Sequence, residues 1–186
     1  MIDLNKVRTD TPGCSSKVHF NNAGASLMPK VVIDAIQNYI SLEATTGGYE
    51  TEDIKAGEIK GFYSAIAKLI NCKPGNIAFT SSATNSFARA LSCIPFRSGD
   101  IILIANEDYI SNQLAFLSLQ KRFGIKVIRA ASLAQGGVDV EDMKRLMDMH
   151  RPKLVSLTHV PTNSGLVQPI EEVGKLCQER EILYLV

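Results

Sequence analysis

Residues 99–132 read GDIILIANEDYISNQLAFLSLQKRFGIKVIRAAS, and this stretch decides the fold. The turn signal RSGD, residues 97–100, leads into an unbroken apolar run, IILIA, and then into the polar segment NEDY. A helical stretch, SNQLAFLSLQKRF, follows, and after Gly124 a second strand-like run, KVIRAAS, begins. Strands that are continuously apolar rather than alternating are buried on both faces, and a strand–helix–strand order places them parallel.

The same rhythm runs outward in both directions. Toward the C-terminus, QGG precedes DVEDMKRLMDMH, a helix with Asp139 as its cap, and then the strand PKLVSLTHV. The helix PIEEVGKLCQERE and the strand ILYLV (182–186) follow. Toward the N-terminus, KPGN is a turn, NIAFTS a short buried strand, and SATNSFARALSCI a helix opened by hydroxyl residues. Before these stand two amphipathic helices, PKVVIDAIQNYISLEA and TEDIKAGEIKGFYSAIAKLI, separated at Gly47-Gly48. The first groups Val32, Ala35, Ile36, Tyr39 and Ile40 on one face, the second Phe62, Ala65, Ile66, Leu69 and Ile70. The expected fold is α/β, a mainly parallel sheet with helices on both faces. An N-terminal arm with two helices (1–70) precedes an α/β domain (71–186).

Composition narrows the function classes. Hydrophobic residues make up 45% and charged residues 21% of the 186, a globular balance. Twenty basic against 19 acidic residues give a net charge of +1, which offers no electrostatic reason for nucleic acid or an anionic membrane as partner. No apolar run approaches a bilayer span, and MIDLNKVRTD is not patterned as a secretory signal. Cys14, Cys72, Cys93 and Cys177 are scattered without metal-like spacing, as reduced thiols of a cytoplasmic protein are, and no metal site is expected.

In open parallel sheets ligands sit beyond the carboxyl ends of the strands, so the loops there carry the candidates. Ser81-Ser82-Ala83-Thr84 enters a helix and offers backbone N–H groups and hydroxyls to a phosphate; read alone, Ser82 or Thr84 is equally a helix cap. The pattern is neither a Walker loop nor a dinucleotide turn. Tyr109 stands at the head of the next loop and can stack on a flat heterocycle, or simply lie half exposed. Thr162, Asn163 and Ser164 offer hydrogen-bonding groups in a Pro–Gly turn. His159 reads as structural. The small-residue loop HFNNAGASLMP permits close backbone approach to a ligand, or is a surface turn.

In order, FNNAGASLMP, GGYE, FTSSAT, NEDYISN and HVPTNSGLVQPI resemble the class V aminotransferase family of pyridoxal-phosphate enzymes. Those enzymes include cysteine desulfurases, kynureninases and isopenicillin-N-epimerase-like proteins. The first and last motifs look closer to the epimerase-like and generic aminotransferase members than to desulfurases. The resemblance runs from about Phe20 to Val186 and implies part of the large domain of a fold type I enzyme. It implies that Ala83 and Thr84 hold the cofactor phosphate and that Tyr109 stacks on the pyridine ring. It also implies that Thr162 or Asn163 bonds the ring's phenolic oxygen, and that Asn22, Ala23 and Gly24 lie near the substrate carboxylate. Many relatives have Asn where Thr162 stands.

The family's pyridinium-binding Asp follows the strand equivalent to ILYLV, and its Schiff-base Lys and small C-terminal domain come later still. The expectation is therefore an N-terminal part of an amino-acid-converting enzyme, with no catalytic residue of its own, weak or no cofactor binding, and no activity alone. A homodimer is expected from the family. The alternative is a non-catalytic phosphate-ligand-binding or dimerising α/β module. A nucleotide-binding α/β enzyme unrelated to pyridoxal phosphate stands well behind both.

Overall fold

The computed structural model describes residues 2–186. Two compact units divide the chain, Met1–Thr80 and Ser81–Val186.

The first unit is helical. After α1 (Leu4–Thr9), capped by the Asp3 carboxylate, a 3-10 turn at Pro12–Ser15 and an irregular segment lead to α2 (Lys30–Thr46) and α3 (Gly48–Leu69). Gly47, at φ +100°, terminates α2 and opens α3, a conformation few side-chain-bearing residues adopt. The two amphipathic stripes form as helices, yet most of their apolar residues stay uncovered among the described residues: Val32, Ile36, Ile40 and Phe62 are exposed, while Tyr39 and Ile66 are half-buried. Only Thr51 and Ala67 of the two helices are buried.

The expected strand NIAFTS is not one. After a 3-10 turn at Pro74–Asn76 the backbone at Ile77 is extended, but no strand among the described residues pairs with it, and Phe79 is 69% exposed. An extended segment that joins no sheet shows a strand's propensity without being a strand.

The second unit is the α/β layer. It runs α4 (Ala83–Ser92), β1 (Ile101–Ile104), α5 (Ile110–Phe123), β2 (Lys126–Arg129), α6 (Val140–His150), β3 (Leu154–Ser156), α7 (Ile170–Glu179) and β4 (Leu183–Leu185). All pairs are parallel, in the order β2-β1-β3-β4. Central β1 is buried on both sides, which is why its sequence carries no polar alternation. Ile102 and Ile104 pack with Leu91, Phe116, Ile125 and Leu154 under α4 and α5. Leu103 and Ala105 point the other way, to Met143, Met147, Val155, Val173 and Cys177 under α6 and α7. Alternate residues of one strand thus feed two cores.

Helix starts follow the sequence signals. Ser82 Oγ accepts from Asn85 N at 3.2 Å to cap α4, and Asp139 Oδ1 accepts from Glu141 N and Asp142 N at 3.0 and 3.1 Å to cap α6. Gly124, at φ +68°, closes α5 in the left-handed region.

The strand order reverses between β1 and β3. From β1 the chain moves outward to β2, and from β2 it crosses back over β1 to β3 and on to β4. The connections after β1 and after β3 therefore leave toward opposite faces, and a crevice opens between their carboxyl ends.

A candidate phosphate and ring site at the carboxyl edge of the sheet

Four segments meet around that crevice, and the second unit's sequence-predicted residues all lie on them. Ala83 and Thr84 form the first turn of α4, where unpaired N–H groups and the helix dipole favour an anion. Thr84 Oγ1 lies 3.5 Å from Ser111 Oγ, in the first turn of α5, so two helix starts bring their hydroxyls side by side. Tyr109 is the N-cap residue of α5, with extended backbone and a side chain 49% exposed.

The segment between β1 and α5 is held by acceptors. Asp108 Oδ1 accepts from Tyr109 N at 2.7 Å, from Asn112 Nδ2 at 2.9 Å and from Thr158 Oγ1. Asp108 Oδ2 and Gln113 Nε2 are buried and have no hydrogen-bond partner among the described residues. Gln113 Oε1 accepts from Arg129 Nη2 at 2.7 Å, at the end of β2.

Thr162 and Asn163 are exposed in the turn that follows β3. Gly165, at φ +69°, donates its N–H to Pro161 O at 2.8 Å, and Gln168 N bonds His159 O at 2.8 Å, closing the loop at its neck. Ser164 donates to Glu107 Oε2 at 2.5 Å, and with the Thr158–Asp108 bond this ties the Thr162–Asn163 turn to the Tyr109 segment. Gln168, 3% exposed, accepts from Val138 N at 2.9 Å and so anchors the same loop to the turn before α6. Gly136, at φ +92°, passes so close to Leu166 that an added Cβ would stand 2.5 Å from its Cδ1.

At the start of the β2–α6 connection Asp142 Oδ2 accepts from Ala131 N at 2.8 Å, and Arg145 Nη2 donates to Oδ1 at 2.6 Å. The backbone donor first, and Arg145 second, hold the Asp142 carboxyl below its usual range.

The structure thus brings Ala83, Thr84, Tyr109, Thr162 and Asn163 to one edge of the second unit. Asn22, Ala23 and Gly24 form an exposed turn in the first unit, where Gly24 N and Ala25 N both bond Asn21 O, at 3.2 and 3.0 Å. Sequence reasoning missed Asp108, Ser111, Thr158 and Gln168. Only their places just beyond strands or at helix starts signalled them, and the partners that give them meaning lie 27 to 50 residues away.

The donor set fits a phosphorylated heterocycle: helix N–H groups and two hydroxyls for the phosphate, an open aromatic face beside them, and polar side chains across the crevice. Of the lysines, Lys126 opens β2 and Lys153 lies just before β3, at the amino ends of those strands. Lys153 is engaged there, with Asp100 Oδ2 at 2.8 Å. No group of three or more His, Cys, Asp or Glu among the described residues could hold a metal ion. No helix among them is long and apolar enough to cross a membrane.

The family model for aminotransferase class-V matches residues 18–186. The chain belongs to that family. Among curated relatives it is 28% identical over 186 residues to a probable cysteine desulfurase of Pyrococcus abyssi, covering 97% of this chain and 46% of that protein. It is 25% identical over 169 residues to a probable hercynylcysteine sulfoxide lyase of Mycobacterium tuberculosis, covering 91% and 42%. The apo cysteine desulfurase of Thermococcus onnurineus NA1 superposes with a TM-score of 0.84 at 25% identity, over 99% of this chain and 47% of that one. The C-DES mutant with glycine covalently linked to its PLP cofactor shares the fold, with a TM-score of 0.81 at 23% identity over 95% and 47%. The chain spans about half the length of the curated relatives it matches. These relatives bear the names of desulfurases and lyases, not of the epimerase-like members to which the first and last motifs look closer.

Proposed function

We propose that this chain carries the phosphate- and ring-binding half of a pyridoxal-phosphate site, in a class V protein whose substrate is an amino acid. The observation that carries the reading is the convergence of the α4 and α5 starts, through Thr84 and Ser111, beside Tyr109 at the strand-order reversal. The names of the relatives favour a sulfur-bearing amino acid as the substrate of the whole protein.

When bound, pyridoxal phosphate supplies an electron sink for bond breaking at an amino acid's α-carbon. The chain's own residues do the holding. The N–H groups of Ala83 and Thr84 and the Thr84 hydroxyl bind phosphate oxygens, with the Ser111 hydroxyl alongside. Tyr109 presents its ring as a stacking face, and Thr162 or Asn163 donates to the phenolic oxygen. Asn22, Ala23 and Gly24 are assigned to the substrate carboxylate on the family motif alone. Lys126 and Lys153 stand at the amino ends of their strands, and no lysine of this stretch stands at a motif that matches the family's Schiff-base site; both favour binding without a covalent anchor here, and hence no turnover by the 186-residue chain by itself. A homodimer is part of the proposal.

Titration of the purified 186-residue chain with pyridoxal phosphate tests this. The expected result is a saturable yellow complex that inorganic phosphate displaces and that Thr84→Val weakens, with intact mass unchanged after borohydride. Absence of saturable binding refutes the site. A single stoichiometric lysine adduct, or turnover of an amino acid, refutes the non-covalent reading.

A further inference from the structure

The loops after β1 and β3 leave the sheet toward opposite faces; the ladder sets the two strand ends side by side as far as Ile104 and Ser156, and its register stops there, short of Tyr109 and of the Thr162–Asn163 turn. One carboxylate spans the gap. Asp108 Oδ1 takes the Tyr109 N–H at 2.7 Å, the Asn112 amide at 2.9 Å and, from beyond β3, the Thr158 hydroxyl, 50 residues along the chain. An ordinary helix-capping acid accepts from the second or third N–H of its own helix; this one binds the N–H of the capping residue itself and reaches to another strand. Its other oxygen is buried with no hydrogen-bond partner among the described residues. An acceptor saturated on one side and bare on the other is costly, and such sites persist where position matters more than stability.

We propose that Asp108 is a positioning residue for the ring-binding face. It locks the Tyr109 segment to the end of β3 across the crevice, and so sets the spacing between the aromatic face and the Thr162–Asn163 turn. This rests on the reading of the edge as a pyridoxal-phosphate site. The Glu107–Ser164 bond runs parallel to it at 2.5 Å and adds a second tie between the same two loops. Asp108 touches neither phosphate nor substrate in this assignment. It acts through Tyr109 and Thr158.

The test uses the 186-residue chain with Asp108→Ala, Asp108→Asn and Thr158→Val, pyridoxal phosphate as the probe and inorganic phosphate as the competitor. Asp108→Ala is expected to abolish the visible circular dichroism of the bound cofactor and to weaken its binding about tenfold or more, because misplaced ring contacts are lost. The inhibition constant for inorganic phosphate is expected to stay within about twofold, since the α4 start is untouched. Asp108→Asn keeps one acceptor oxygen and is expected to recover most of the signal; Thr158→Val is expected to reproduce part of the loss.

Amide hydrogen exchange needs no ligand and provides an independent reading. Asp108→Ala is expected to speed exchange in residues 109–113 and in residues 159–165 together. Unchanged dichroism and affinity, or faster exchange confined to residues 109–113, overturns the proposal. Equal loss of cofactor and phosphate binding also overturns it, because the carboxylate then holds the fold rather than the ring. Failure of the wild-type chain to bind pyridoxal phosphate sinks the site reading, while the exchange result still decides whether Asp108 joins the two loops.

Discussion

Phe116→Ala measures whether the α4–α5 face of the sheet is a packed core. Phe116 is 1% exposed, sits against Ile102 and Ile104, and meets Phe87 edge-on at 5.7 Å and 74°. An aromatic side chain buries about 150–250 Å², and at about 25 cal/mol per Å² its removal costs about 4–6 kcal/mol. The denatured chain already hides part of that area, which lowers the figure. Loss of the ring pair adds back about 1 kcal/mol. The expected net loss is about 4 kcal/mol, a large share of the stability of a chain this size. Phe116→Leu keeps most of the volume and is expected to cost about 1–2 kcal/mol, which leaves a measurable midpoint if the alanine variant is already unfolded. Urea unfolding followed by far-ultraviolet circular dichroism reads both, with an unchanged slope required for the comparison. Phe20→Ala, at a site 93% exposed, is the control and is expected within about 0.5 kcal/mol of wild type. A loss below about 1 kcal/mol for Phe116→Ala at constant slope refutes the two-faced core.

Asp100 accepts from Lys153 at 2.8 Å and from Arg97 N at 2.7 Å, and these, Lys153 first, hold its carboxyl below the usual range. A lowered folded pKa gives stability that is present above the unfolded value of about 3.9 and is lost as pH falls through the folded one, so Asp100→Asn is expected to flatten the acid limb of a urea-midpoint profile and to cost about 1 kcal/mol at neutral pH. Burial pushes the Cys177 thiol up to about 11 and raises the Tyr184 phenol as well. Raised folded values give stability that is intact below the unfolded values and lost as pH rises; the midpoint of the Cys177→Ala variant is therefore expected to fall less than wild type's between about pH 9 and 11. Thiol alkylation at neutral pH is expected to label Cys14 and Cys93, both exposed, and to spare buried Cys177 until the chain unfolds. Gln168→Ala strips Val138 N of its acceptor and is expected to cost about 1–3 kcal/mol, read by urea unfolding.

What the sequence made legible follows from range. The strands of the second unit announce themselves because β1 is apolar at every position and β3 is buried throughout with Ser156 as its one polar residue, and the helix starts because Ser82 and Asp139 act within three residues of themselves. NIAFTS failed for the opposite reason. Strand propensity is local, whereas a strand exists only if a neighbour supplies a ladder, and the sheet among the described residues is made of β1 to β4 alone. The apolar stripes of α2 and α3 were legible as helices, but what covers them is not a property of the helices.

The candidate site shows the same division. Ala83, Thr84 and Tyr109 stood out as candidates because a hydroxyl-rich turn into a helix and an aromatic in a loop beyond a strand are short patterns that need no distant partner to be noticed. Asp108 and Thr158 could not, since each alone is one more polar residue beyond a strand; their pairing depends on the strand order β2-β1-β3-β4, which places the ends of the first and third strands side by side. A sequence that puts strands in the order 1-2-3 along a sheet would leave those residues a full strand apart and the carboxylate without its distant donor. The reversal of strand order therefore does two things at once. It opens the crevice in which a ligand can lie, and it brings together the two loops whose bonds keep that crevice at one width.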